Sequence, residues 1–168
     1  MGNYEESQVV QVLKLEEQPG QSLQKKRVDR IIHAGDIGEL EPLSQGILDS
    51  LEKVAPVHAV LGNRDIAGYV ASGEEVSERL LCVDVCGLSI AVMHELKDLH
   101  AALVSSGLKP RVRVHGHTHV PKLERLRDGL VICPGALHKP RGDWPRRTVA
   151  LLFLEEPGKI LRAEIVGL

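Results

Sequence analysis

The sequence predicts a mixed α/β fold, on three observations. Ten short apolar runs of strand length recur along the chain. Two longer stretches space their apolar residues as an amphipathic helix does. Strands mix with helices early and give way to hairpins late.

In chain order, strands are expected at Val9–Leu15, Asp29–Ala34, Val57–Leu61, Leu80–Cys86, Leu88–His94, Arg111–His115, Lys122–Leu126, Leu130–Cys133, Thr148–Leu154 and Ile160–Val166. A helix is expected over Pro42–Val54, where Leu43, Ile47, Leu48, Leu51 and Val54 form a 3.6-period face. A second is expected over Leu96–Ser106, with Leu96, Leu99, Leu103 and Val104 as its apolar face and Gly107 as its C-terminal cap. Cys86-Gly87 and Asp128-Gly129 read as hairpin turns. There is no internal repeat, low-complexity tract or linker, so residues 1–168 read as a single domain.

Composition narrows the function. With 168 residues and 43% hydrophobic residues the chain can build its own core. A net charge of -2 argues against a surface made to attract polyanions, and 2% aromatic residues argue against base stacking; nucleic acid is a poor partner. Three cysteines suit a reducing compartment. The first 25 residues hold no signal-like apolar segment, and no run reaches the ~20 apolar residues that span a bilayer. A cytoplasmic protein without a membrane partner is the expectation.

The chemistry gathers at strand ends. RIIHAGD ends in Asp36, VHAVLGN in Asn63, LSIAVMH in His94, and RVRVHGHTH in His117 and His119. In α/β sheets the carboxyl ends of strands are where ligands bind. Gly35, Gly62 and Gly116 stand just before three of these residues and permit tight turns. Each residue alone has a plainer reading: Asp36 as a helix cap, Asn63 as a turn residue, His94 as a satisfied buried histidine. His117 and His119, two apart, point the same way if the backbone is extended, and an unpaired buried imidazole pair is costly. A metal ion explains the set more economically. His115, on the alternate register, reads as core or as a support behind the ligands. One carboxylate, one amide oxygen and three imidazoles suit Mn, Fe, Ni or Zn. Cys82 and Cys86 read as core residues. Two ions sharing Asp36 would serve attack on phosphorus, stabilising the attacking and leaving oxygens.

IIHAGDI, VLGNRD, the strand-end His94, VHGHTHVP and the PGAL…PR stretch (Pro134–Leu137, Pro140-Arg141) together resemble the calcineurin-like metallophosphoesterases, in particular the small YfcE-type phosphodiesterases. The resemblance runs from about Val28 onward. It implies a four-layer α/β/β/α sandwich with mixed sheets and a dinuclear centre, using divalent ions such as Mn, that hydrolyses small phosphodiesters. Carried over, Asp36 bridges the ions, Asn63, His94 and His117 complete one site, and His119 serves the other.

Several departures accompany the match. The family's first strand carries D-x-H, which should fall near Val12–Lys14; the chain reads VLKLEEQ there, so residues 1–27 form an atypical N-terminal segment. Glu16 and Glu17 are the reserve carboxylates if Val9–Leu15 replaces that strand, although Pro19-Gly20 interrupts a parallel crossover. Otherwise the sheet lacks its usual central strand. Cys133-Pro134-Gly135-Ala136 stands where NPGS is frequent, and Glu95 where a glycine is usual. Arg64 stands where many members hold a histidine that protonates the leaving group; it reads as a phosphate clamp or as a solvated arginine. The run HKPRGDWPRR, residues 138–147, reads as a solvated loop or as a rim for an anionic ligand. The expected function is a metal-dependent phosphodiesterase weakened by the missing ligands, with Asp36, Asn63 and Arg64 at the reaction. The alternative is an impaired, scaffold-like binding module, as the retromer subunit of this superfamily is. Self-association stays open.

Overall fold

The computed structural model describes residues 9–14, 28–37, 43–65, 80–137, 146–155 and 157–168. Within them lie β1 (Val9–Lys14), β2 (Arg30–His33), α1 (Leu43–Glu52), β3 (Val57–Ala59), β4 (Leu81–Val85) and β5 (Leu88–Val92). Then follow α2 (Leu96–Ser106), β6 (Val112–Val114), β7 (Lys122–Leu126), β8 (Gly129–Cys133), β9 (Thr148–Glu155) and β10 (Lys159–Gly167). Each of these strands and helices falls where the apolar periodicity put it, with ends moved by at most two residues.

The strands form two five-stranded mixed sheets. One has the order β10-β9-β1-β2-β3, the other β4-β5-β6-β8-β7. Alternation along β2 sends Ile32 into the space between the sheets and Ile31 to the outer face. Between the sheets, Ile32, Val60, Leu88, Ile90, Val112, Ile132, Leu152 and Leu154 pack into one buried cluster. Each such side chain contributes roughly 1.5–3 kcal/mol on burial. On one outer face, Leu51 of α1 packs near Ile31, Ala55 and Val149. On the other, Leu99 and Leu103 of α2 pack on Ala91. The layer order is therefore helix, sheet, sheet, helix. Among the described residues no helix is long and apolar enough to cross a membrane.

Four local expectations are corrected. First, β1 does occupy a central place in its sheet, but it runs antiparallel to β2, with Val9 opposite His33 and Val12 opposite Arg30. An antiparallel return needs no crossover, which is how residues 15–29 suffice as the connection. Second, the β7–β8 turn residues are Arg127 and Asp128, and Gly129 already pairs with Leu126. A side chain at 129 would strike the Arg111 carbonyl, which accepts the Leu130 amide at 2.9 Å. Third, Val54 is exposed beyond the end of α1, and Val104 lies on the solvent side of α2. Val104 sits roughly a quarter turn from the Leu96–Leu99–Leu103 stripe at 3.6 residues per turn. Fourth, Cys82 is exposed and Cys86 sits in the β4–β5 turn at φ 56°, half-buried against the core.

Candidate metal centre

Asp36 follows β2 on a backbone turned sharply at Gly35 (φ 92°) and at Asp36 itself (φ 56°). A non-glycine residue in this region is uncommon and marks a constrained position. The constraint has a visible cause. The Asp36 carboxylate lies so near Gly62 that a Cβ at 62 would overlap its Oδ1. The Arg64 amide donates to the same Oδ1 at 3.0 Å. Strand ends β2 and β3 are thus laced together by the two elements that carry Asp36 and Asn63.

Asp65, the last residue of VLGNRD and assigned no role there, completes this lacing. It is 3% exposed. Its Oδ1 accepts the Ile37 amide at 2.8 Å and its Oδ2 the Gly62 amide at 2.7 Å. A buried carboxylate holding two backbone amides fixes both loops at once.

His94 follows β5 and enters from the second sheet. Its Nδ1 donates to the Ala34 carbonyl at 2.7 Å. That leaves Nε2 with a lone pair. Nε2 stands 3.0 Å from Asn63 Oδ1 and 3.4 Å from Asp36 Oδ2. Three acceptor atoms therefore face one another, from a strand end in one sheet and two in the other. His117 joins on the open side, with Nδ1 3.2 Å from the same Asn63 oxygen and its ring edge-on to His94 at 5.2 Å. Glu95, marked in the sequence only as standing where a glycine is usual, places Oε1 4.0 Å from His117 Nδ1. It stands at the N-cap of α2 and makes no side-chain capping bond.

Asp36, Asn63, His94 and His117 are thus brought together. His119 is buried, 3% exposed. Both His117 and His119 have left-handed backbones (φ 66° and 59°), so the extended geometry expected of them is corrected. Arg64 flanks the group and contributes its backbone amide. Among the described residues no three His, Cys, Asp or Glu side chains lie close enough together to hold an ion. The close group is two such residues plus the Asn63 amide oxygen. His115 is buried behind the loop with Nδ1 against the Gly116 carbonyl, and burial lowers its pKa. His33 is wholly buried; that burial, with His94 nearby, pushes its pKa down to about 3. Glu16, Glu17 and most of residues 138–147 lie outside the described residues. Lys14, which precedes Glu16, lies at the end of the sheet opposite Asp36 because β1 is reversed.

Two stacked mixed sheets, flanked by helices and bringing polar strand ends together at one edge, have the architecture of the phosphoesterase sandwiches. The chain belongs to the calcineurin-like phosphoesterase superfamily, whose domain model matches residues 12–156. It is 31% identical over 135 residues to a probable metallophosphoesterase of Methanocaldococcus jannaschii, covering 77% of this chain and 62% of that protein. The match thus spans less than two thirds of that relative's length. The solved structure of an archaeal phosphodiesterase is similar with a TM-score of 0.57 at 18% identity, over 95% of this chain and 99% of the other. Vps29 of Entamoeba histolytica, complexed with Zn, is similar with a TM-score of 0.57 at 16% identity, over 95% and 98%. These two likenesses show the shared fold.

Proposed function

We propose that the chain is a metal-dependent phosphodiesterase acting on a small phosphodiester, with one ion site around Asp36, Asn63 and His94 and a second left poorer in ligands. The single observation that supports this is the meeting of His94 Nε2, Asn63 Oδ1 and Asp36 Oδ2. Acceptors at such distances repel unless a cation or proton lies among them, and the donor set suits a divalent metal. Asp36, Asn63, His94 and His117 would hold that ion, and His119 with Asp36 the second. Mn is the proposed metal, with Ni, Fe and Zn as competitors; the Vps29 neighbour was solved with Zn.

A bound divalent ion supplies a Lewis acid that draws charge from a phosphoryl oxygen and acidifies water. The chain's own groups do the rest. The Ala34 carbonyl orients the His94 ring and fixes its tautomer, as partners behind a ligand do. Asp65 and the Arg64 amide hold the Asp36 and Asn63 loops in register. The Arg64 side chain is the proposed clamp on a phosphate oxygen.

The direction of β1 favours a second reading, a binding module that does not turn over substrate. A reversed first strand brings no D-x-H to the site edge. One experiment separates the two. Hydrolysis of bis(p-nitrophenyl) phosphate is measured with Mn, Ni, Fe and Zn, with Asp36→Asn beside the wild type, while calorimetry counts bound Mn. Turnover that disappears in the variant, with Mn bound, supports the phosphodiesterase. No turnover above the variant with any metal supports the binding module.

A further inference from the structure

The outer face of the second sheet holds a cleft unconnected with the site above. α2, the loop after it and β6 line an open cleft of about 500 Å³. That lies within the range of small-ligand sites. Leu103, Val104 and Leu108 form its apolar side, and His100, Lys109 and Arg113 its polar side.

Three features of the cleft point to one kind of ligand. No acid lines it. Along the sheet, Arg113 neighbours Val131, and Val131 neighbours Glu124, the first carboxylate in that row. Glu124 is already engaged by Lys122 at 2.6 Å. Next, Arg113 Nε is shielded from solvent and has no hydrogen-bond partner among the described residues. The guanidinium charge is therefore not offset at that atom by an acceptor among those residues, and it adds to the positive field of the cleft. Finally, Val104 is 84% exposed and Leu108 47%, beside the same cations. Apolar side chains left bare next to unpaired positive groups suit a ligand with both characters.

We infer that this cleft binds a small organic anion, a carboxylate or phosphate head on a short apolar body. The head is met by the terminal guanidinium nitrogens of Arg113 and by Lys109. The body lies on Val104 and Leu108. Nothing in this assignment depends on the phosphodiesterase reading.

The test uses metal-free protein in chelator and follows amide and Arg113 Nε–H resonances by NMR. Octyl phosphate, octanoate and inorganic phosphate are titrated separately. The inference requires saturable shifts at Leu108, Lys109 and Arg113 with an octyl probe. It requires inorganic phosphate to bind at least about tenfold more weakly, because it buries no apolar surface. Arg113→Met and Val104→Asp should each weaken octyl phosphate by about tenfold, the loss expected for one charge-assisted bond or a charge set against the chain. Val104 is exposed, so its variant keeps the fold, which the spectrum verifies. Absence of saturable shifts, shifts centred on Asp36 and His117, or variants that bind like the wild type would each overturn the inference.

Discussion

Asp65 holds the loops of Asp36 and Asn63 with two backbone bonds, and its removal leaves the Ile37 and Gly62 amides without that acceptor. Asp65→Ala should cost about 2–4 kcal/mol, since a buried charge-assisted network loses its central acceptor. Urea melts give the value; a loss under about 0.5 kcal/mol, the size of an ordinary surface change, would contradict the role. Asp65→Asn, which keeps one oxygen, should lose less. The sequence displayed Asp36, Asn63 and His94 because each ends an apolar strand, a position that periodicity reveals. Asp65 lies in a short polar stretch that enters a helix at residues 63–65, where an aspartate that ties backbone looks the same as a solvated one. Glu95 was noticed only as a departure from a glycine, and its nearness to His117 depends on the path of a different loop. The histidine pair was legible in type but not in geometry, because i and i+2 share a direction only in extended chain.

At the scale of elements, two glycines should respond in opposite ways. Gly129 opens β8 against the Arg111 carbonyl, and Gly46 faces open space on α1. Gly129→Ala should destabilise by about 2 kcal/mol or more, because backbone on both sides must yield. Gly46→Ala should stabilise by about 0.5–1 kcal/mol through helix propensity. Thermal melts of the pair check both signs, and a stabilised Gly129→Ala would refute the close approach. Strand positions were legible throughout, from Arg30–His33 to Lys159–Gly167, because a period of two is written in the residues. Strand direction was not. The apolar pattern of Val9–Lys14 reads the same in either sense, and the pairing partners that fix it lie far along the chain. The exposure of Val104 was likewise hidden, since a stripe of three leucines satisfies α2 without it.

Across the whole molecule, acid should unfold the protein through histidines buried neutral. His33 titrates near 6.5 when unfolded and about 3 when folded. Between these values the unfolded chain binds more protons, so stability falls as pH falls. The loss approaches about 1.4 kcal/mol per pH unit for each such group. His115, also lowered by burial, adds in the same direction. Urea melts from pH 7 to pH 4 should show this slope, and His33→Leu should flatten it by about one proton. A slope unchanged in the variant would remove His33 from the account.

The reversed β1 also bears on how the molecule comes together. One flank of β1 pairs with β2 and the other with β9, so that Val10 lies between Ile32 and Ala150. About two thirds of the chain, from His33 to Thr148, separates the two partners of that central strand. During synthesis the first sheet stays open along β1 until residues 148–155 have emerged. Loop closure over such a distance is entropically slow, so this sheet sets the pace of folding. The second sheet, built from residues 81–133 with near neighbours paired, can form while the first is still waiting.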